Sequence, residues 1–204
     1  MTRTYRHWTP RYIKSRLGVM LNEKIHPGNP WLSADAVRLL DQLLKPTDVG
    51  VEFGSGRSTI WFAKRLAHLT SVESDPLWYE KVKLMLAEKS LLSRVDYRKY
   101  EDKENYAAQS LTFADASIDF CLVDGMCREK CAELMIPKIK SGGILTIDNI
   151  DWFIPNDFSH SPNKRRTADG YASEGWARIG EQLSSWRRVW TSNGVFDTAI
   201  WLKP

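Results

Sequence analysis

Apolar residues recur along this chain in two rhythms that alternate. Short runs of strand length occupy residues 49–53, 69–72, 95–97, 118–123 and 144–147, and the run at 118–123 is almost continuous, as expected where both faces of a sheet are covered. Between them, helical spacing predicts helices over 58–66, 76–90 and 128–140, with Pro76 suited to a first turn. Ser141-Gly142-Gly143 reads as the turn into the fifth strand. Upstream, residues 5–21 read as a helical arm, followed by a turn at His26-Pro27-Gly28-Asn29-Pro30. Ser33 is the expected N-cap of a helix whose apolar side is Ala36, Val37, Leu39, Leu40, Leu43 and Leu44, ended by Lys45-Pro46. Downstream, a helix over 173–184 precedes strands at 187–191 and 196–202, joined by Ser192-Asn193-Gly194. Strands alternating with helices over short connections predict an α/β fold with a mainly parallel sheet.

Residues 149–172 break the rhythm. They are polar and irregular, with Pro155, Pro162, Gly170 and the basic run Lys164-Arg165-Arg166, and a loop of this length reads as a lid or binding loop. The 204 residues are expected to form an arm over 1–30 and one domain over 31–204. No apolar run approaches the ~20 residues of a membrane span. No apolar region and cleavage site follow the basic start, so a secretion signal is not expected.

Three cysteines, Cys121, Cys127 and Cys131, are an odd count that argues against a disulfide framework and for a reducing, cytoplasmic setting. Cys127 and Cys131 would share a helix face, but no further ligands complete a zinc site, so inert thiols are expected. The net charge of +4 is unevenly spread: Arg3, Arg6, Arg11, Lys14 and Arg16 all precede Glu23, the first acidic residue. Such an arm could meet nucleic acid, an anionic membrane surface or a second copy of the chain in a homodimer; a solvated helix is the plainer reading.

The chemistry concentrates at Val51-Glu52-Phe53-Gly54-Ser55-Gly56-Arg57-Ser58-Thr59. Gly54 and Gly56 let the chain leave a strand tightly and let backbone approach a ligand. Glu73, 21 residues after Glu52, ends the next strand, where a carboxylate can take both hydroxyls of a ribose. A nicotinamide dehydrogenase offers the same strand, glycines and acid, but its fingerprint wants a third glycine where Thr59 stands. That reading also does not predict a terminal hairpin.

The motifs E-F-G-S-G-R-S-T, V-E-S-D, L-V-D-G and G-G-I-L-T-I-D-N together resemble those of class I S-adenosylmethionine-dependent methyltransferases, over roughly residues 31–202. The resemblance implies a Rossmann-like, seven-stranded, mostly parallel sheet with an antiparallel C-terminal hairpin and helices on both faces. It implies that Glu52, Gly54, Ser55 and Gly56 line the methionine and ribose side of S-adenosylmethionine. Ser58 would stand at the helix start, Glu73 would bind the ribose hydroxyls, and Asp124 would lie near the sulfonium.

After the fourth strand the chain has Val123-Asp124-Gly125-Met126, which departs from the Pro-Pro-aromatic motif of adenine and glutamine N-methyltransferases. Asp124 followed by Asp148-Asn149 is instead similar to the catechol and caffeoyl-CoA O-methyltransferases, where such residues hold a divalent cation. That similarity implies a catalytic and metal-binding set of Asp124, Asp148 and Asn149 around Mg²⁺ or another divalent ion, which would lower the pKa of an acceptor hydroxyl. Asp148 as a strand cap and Asn149 as a turn former are the plainer roles. Arg128 and Lys130 stand near the place where those enzymes carry a substrate-directed lysine.

The expected function is methyl transfer to a small-molecule acceptor, at a hydroxyl oxygen, with metal assistance as an added option. His160 could serve as a base. Trp152, Phe153, Phe158, Tyr171 and Trp176 could wall an aromatic acceptor, and Lys164-Arg165-Arg166 could grip an anionic group. Aminopropyl transfer from the decarboxylated cofactor, and nucleic-acid binding or RNA methylation through the basic arm, are the alternatives. The former wants an acidic pocket that the basic 160s oppose, and the latter lacks a base-reading element.

Overall fold

The computed structural model describes residues 9–204; Arg3 and Arg6 of the basic arm, and the start of the helix expected from residue 5, lie outside the described residues. Seven strands, β1 (Val49–Phe53), β2 (His68–Glu73), β3 (Val95–Lys99), β4 (Ile118–Val123), β5 (Ile139–Asp148), β6 (Arg187–Ser192) and β7 (Asp197–Leu202), form one sheet in the order β3-β2-β1-β4-β5-β7-β6. β1 to β5 are parallel, and β7 is antiparallel to both β5 and β6. This is the expected α/β, Rossmann-like architecture with its C-terminal hairpin. The winding reverses between β1 and β4, so a ligand crevice belongs at the carboxyl ends of those two strands.

Helices α2 (Ala34–Leu43), α3 (Arg57–Ala63) and α4 (Pro76–Glu88) cover one face, and α5 (Lys103–Ala108), α6 (Arg128–Met135) and α7 (Glu174–Gln182) the other. The two-residue period of the strands divides their side chains between these layers. β4 sends Phe120 and Leu122 to the first layer and Cys121 and Val123 to the second; β7 separates Ile200 from Ala199 and Trp201 in the same way. Helix starts follow the sequence: Ser33 Oγ accepts from the Ala36 N–H at 3.2 Å, and Asp75 Oδ1 accepts from the Trp78 N–H at 2.8 Å with Pro76 in the first turn.

Two expectations change. The helix expected to reach Lys140 stops at Met135, because Pro137 has no N–H to continue it, and one 3₁₀ turn leads into β5 at Ile139. Ser141-Gly142-Gly143 is therefore no turn but a bulge inside a ten-residue strand: Ile118 pairs with Ile139 and Phe120 with Ile144, with Gly142 at φ +76°. α5 was not expected; it spans six residues, too few for a visible period, and Asp102 caps it through the Asn105 N–H at 2.8 Å.

The arm helix α1 runs Pro10–Ile25 and buries only Val19. It touches the β6–β7 turn closely: a Cβ on Gly194 would stand 2.4 Å from Ser15 Oγ. Among the described residues, no helix is long and apolar enough to cross a membrane.

Candidate active site

The chain leaves β1 at Gly54 with φ +93°. The Gly54 N–H donates to Val72 O at 2.9 Å, and the Asp124 N–H to Phe53 O at 2.8 Å, so the ends of β1, β2 and β4 are tied together. A Cβ on Gly54 would stand 2.6 Å from the Gly125 nitrogen, and one on Gly125 would stand 1.9 Å from the Tyr106 hydroxyl. Two backbones cross here, and that crossing is the first demand for glycine at both positions.

Glu73 is 6% exposed at the end of β2. Its Oε2 accepts from the Ser55 N–H (2.9 Å) and the Ser55 hydroxyl (2.6 Å), and its Oε1 from the N–H groups of Ser74 (2.7 Å) and Asp75 (2.9 Å). Ser55 Oγ also lies 2.7 Å from the Tyr97 hydroxyl, and Trp78 Nε1 donates to Ser55 O at 2.7 Å. A carboxylate offers about four lone-pair sites, and all are taken. A sugar hydroxyl reaching Glu73 would replace another hydroxyl, that of Ser55.

Glu52 lies beneath the turn, fully buried. Its Oε2 accepts from the hydroxyls of Thr59 (2.6 Å) and Ser71 (2.7 Å), and Oε1 has no partner. Burial pushes this carboxyl up to about 7, the neighbouring hydroxyls of Ser58, Thr59 and Ser71 pull it down, and the Asp124 charge adds a further upward push. Thr59 Oγ1 also accepts from the Gly56 N–H at 2.9 Å. The residue standing where a dinucleotide fingerprint wants glycine thus links Glu52 to the glycine turn. Ser58, in the first turn of α3, is buried beside it.

At the end of β4, Arg128 Nη2 donates to Asp124 Oδ1 at 2.7 Å and to its carbonyl at 2.6 Å. Burial raises the Asp124 carboxyl, the Arg128 guanidinium opposes, and Glu73 adds to the rise. Asp148, 3% exposed at the end of β5, accepts the Thr198 hydroxyl; Thr198 Oγ1 in turn accepts from the Ser33 N–H at 3.3 Å. Burial and the charge of Asp124 hold Asp148 well above the usual carboxylate range. Asn149 follows in the left-handed region at φ +52° and starts a 3₁₀ turn.

The sequence groups Asp124, Asp148 and Asn149 around a divalent cation, and the structure sets two competing contacts against that set. The Arg128 guanidinium already stands against Asp124, where it would repel an ion, and Asp148 Oδ1 is engaged by Thr198. Of the two cations flagged by the sequence, Arg128 turns inward, while Lys130 pairs with Glu133 at 2.9 Å on the surface.

S-adenosylmethionine fits the donor set better. Glu73 already accepts a hydroxyl, and the buried Tyr106 hydroxyl, unpartnered, lies under Gly125. Sequence reasoning missed Tyr106, Tyr97 and Thr198, which carry no motif and reach the site only through packing.

The 149–172 loop is pinned. Buried Asp151 accepts from the Ser161 hydroxyl (2.5 Å) and the Asp197 N–H (3.1 Å), and its carbonyl accepts from the Arg165 N–H (2.8 Å). The basic run is engaged within the loop: Lys164 on the carbonyls of Asp157 and Ser159, Arg165 on those of Asp169 and Gly170, Arg166 on the Asp169 carboxylate. His160 is exposed. Phe153 stacks on buried Trp176 at 4.6 Å, whereas Trp152 is 42% exposed and holds the Arg128 guanidinium 6.0 Å from its ring. The cysteines are free, and burial pushes the thiols of Cys121 and Cys131 up, which keeps them inert.

No protein-family model matches the chain, and no curated protein does. Solved structures do. A Staphylococcus aureus protein designated a caffeoyl-CoA O-methyltransferase is 18% identical, with 98% of this chain and 95% of that one covered and a TM-score of 0.61. The O-methyltransferase TomG from Streptomyces achromogenes, involved in tomaymycin synthesis and solved with S-adenosylmethionine, is 17% identical over 96% and 91% of the two chains, with a TM-score of 0.60. A methyltransferase from Geobacter sulfurreducens is 13% identical over 93% and 89%, with a TM-score of 0.58. The fold is that of the class I methyltransferases along almost the whole chain.

Proposed function

We propose that this protein is an S-adenosylmethionine-dependent methyltransferase acting on a hydroxyl oxygen of a small cytoplasmic molecule. The observation that carries the reading is Glu73: a carboxylate at the carboxyl end of β2, beside the Gly54–Gly56 turn, that already receives a hydroxyl from Ser55 at 2.6 Å.

Glu73 would take the ribose hydroxyls in place of Ser55 Oγ. Gly54, Ser55 and Gly56 would line the methionine and ribose side, with Glu52 and Ser58 holding the turn from below. Asp124 would stand near the sulfonium. S-adenosylmethionine supplies a methyl group already activated for transfer, so the protein's task is in-line placement and removal of one proton. The chain's own part would be to take the acceptor hydroxyl's proton on a carboxylate as the methyl group is transferred. Asp124 and Asp148 are the candidates, since burial raises the proton affinity of both. Asn149 and exposed Trp152 would border the acceptor. The preference for oxygen draws on Asp124, Asp148 and Asn149 and on the O-methyltransferases among the structural neighbours.

Nothing in the site favours the dehydrogenase, aminopropyl-transfer or nucleic-acid readings. Calorimetric titration with S-adenosylhomocysteine tests the proposal. Binding is expected, unchanged by EDTA, and at least about tenfold weaker in Glu73→Ala, the scale of losing hydrogen bonds to a charged group. No heat at high micromolar ligand sinks the reading.

A further inference from the structure

A cavity of about 440 Å³ opens between α1, the turn before α2, and the β6–β7 hairpin, and it has no part in the reading above. Its lining includes Arg57 but not Gly54, Ser55 or Glu73. It stands on the same rim of the sheet as the candidate site, because Asp148 at the end of β5 pairs with Thr198 at the start of β7.

The lining is basic. Arg11 and Lys14 come from α1, Arg57 from the start of α3, and none of the three forms an ion pair among the described residues. Glu23 is the one carboxylate in the lining. Most telling is Arg57 Nη1, which is closed off from solvent yet has no hydrogen-bond partner. A buried guanidinium N–H without an acceptor is costly, and a shift of the head toward an arriving acceptor relieves that cost. Trp31 holds the head in place: the Arg57 guanidinium lies 4.9 Å from its ring centroid, and Trp31 stacks on Trp78 at 6.2 Å. Also in the lining, Asn193 Oδ1 accepts from the N–H groups of Val195 (2.9 Å) and Phe196 (3.0 Å), which leaves its amide N–H₂ as a further donor.

We infer that this cavity binds an oxyanion group, a carboxylate or a phosphate, carried by the small-molecule acceptor. The Arg57 guanidinium is the principal donor, with Lys14 and Arg11 adding charge from the arm. The ligand's role as methyl acceptor rests on the function proposed above; the anion site itself does not. The basic arm, on this view, serves a small anion within the chain's own fold. Arginine suits the task because its planar fork presents two N–H groups to one oxyanion.

The test is titration with inorganic phosphate and, separately, with benzoate, followed by the indole N–H resonance of Trp31. One or both anions should move that resonance saturably, and which one does so distinguishes a phosphorylated from a carboxylated ligand. Arg57→Gln should weaken the binding by about tenfold or more. Lys14→Gln, on an exposed position that leaves packing intact, should weaken it a few-fold, and Lys89→Gln at the far end of α4 should not change it. Equal affinity in Arg57→Gln, Lys14→Gln and the unaltered chain overturns the inference, as does no movement with either anion. Parallel titration with S-adenosylhomocysteine separates the claims. Anion binding without it keeps the cavity and removes the methyl-transfer role. Its binding with no response to anions does the reverse.

Discussion

Arg128 stands against Asp124, one guanidinium nitrogen bridging the carboxylate at 2.7 Å and the carbonyl of the same residue at 2.6 Å. The positive charge at the ends of β4 and β5 therefore belongs to the chain. The side chains are 15% and 28% exposed, so solvent screens the pair only in part. Arg128→Met should cost about 1–3 kcal/mol, because it leaves a half-buried carboxylate without its partner. Urea denaturation at pH 7 checks this, and an unchanged midpoint would show that water replaces the guanidinium without loss.

Glu52 ties stability to pH. Its carboxyl holds a proton up to about pH 7 in the folded chain, against 4.5 for the ordinary group. Between those values the folded state keeps a proton that the unfolded state has released, so stability falls as pH rises through this window and levels off above it. The share of Glu52 is about 3 kcal/mol, at 1.36 kcal/mol per unit. Asp124 and Asp148, also raised, tilt stability the same way. Denaturation midpoints at pH 5 and pH 7.5 should lie closer together in Glu52→Gln than in the unaltered chain. The same gap in both would remove Glu52 as the source.

Gly54→Ala meets two obstacles at once. Its φ of +93° disfavours any Cβ, and the new atom would stand 2.6 Å from the Gly125 nitrogen. Backbone cannot swing aside as a side chain can, so a loss of about 2–4 kcal/mol is expected, with the β1–β4 seam opened. Thermal unfolding followed by near-ultraviolet circular dichroism reads it. A variant as stable as the parent would mean that the two turns separate freely.

The 149–172 loop should behave as a docked element. Ser161→Ala removes a hydroxyl that bridges Asp151 to Val195 O, and leaves a buried carboxylate whose pKa burial has already raised to about 6. Limited proteolysis should then cut within the loop several-fold faster, since local opening is set by such contacts. An unchanged cutting rate would place the loop's anchor elsewhere, at the Phe153–Trp176 stack.

Much of the fold was written in the apolar pattern. β1 and β4 fall on their expected bounds, and β7 within one residue of them, because their runs are buried by the sheet's own layers. Ser33 as a cap, and Gly54, Gly56 and Glu73 as a turn with a facing acid, were legible for a similar reason: each acts within a few residues of itself or at a fixed strand end. β5 was read as four residues instead of ten, because a bulge at Gly142 mimics a turn when only the local residues are seen.

Tertiary structure alone decided what those residues touch. Nothing in sequence spacing says that Ser55 fills Glu73, or that Thr198, fifty residues from Asp148 along the chain, caps its carboxylate. Nor does spacing say that Arg128 faces Asp124, or that the arm meets the hairpin to enclose a basic cavity around Arg57. The physical reason is range. Hydrophobic periodicity, caps and turn chemistry are local and leave their mark on neighbouring residues. Ion pairs, buried hydroxyl bonds and cavities join elements far apart in sequence, and exist only once the sheet order has brought those elements together.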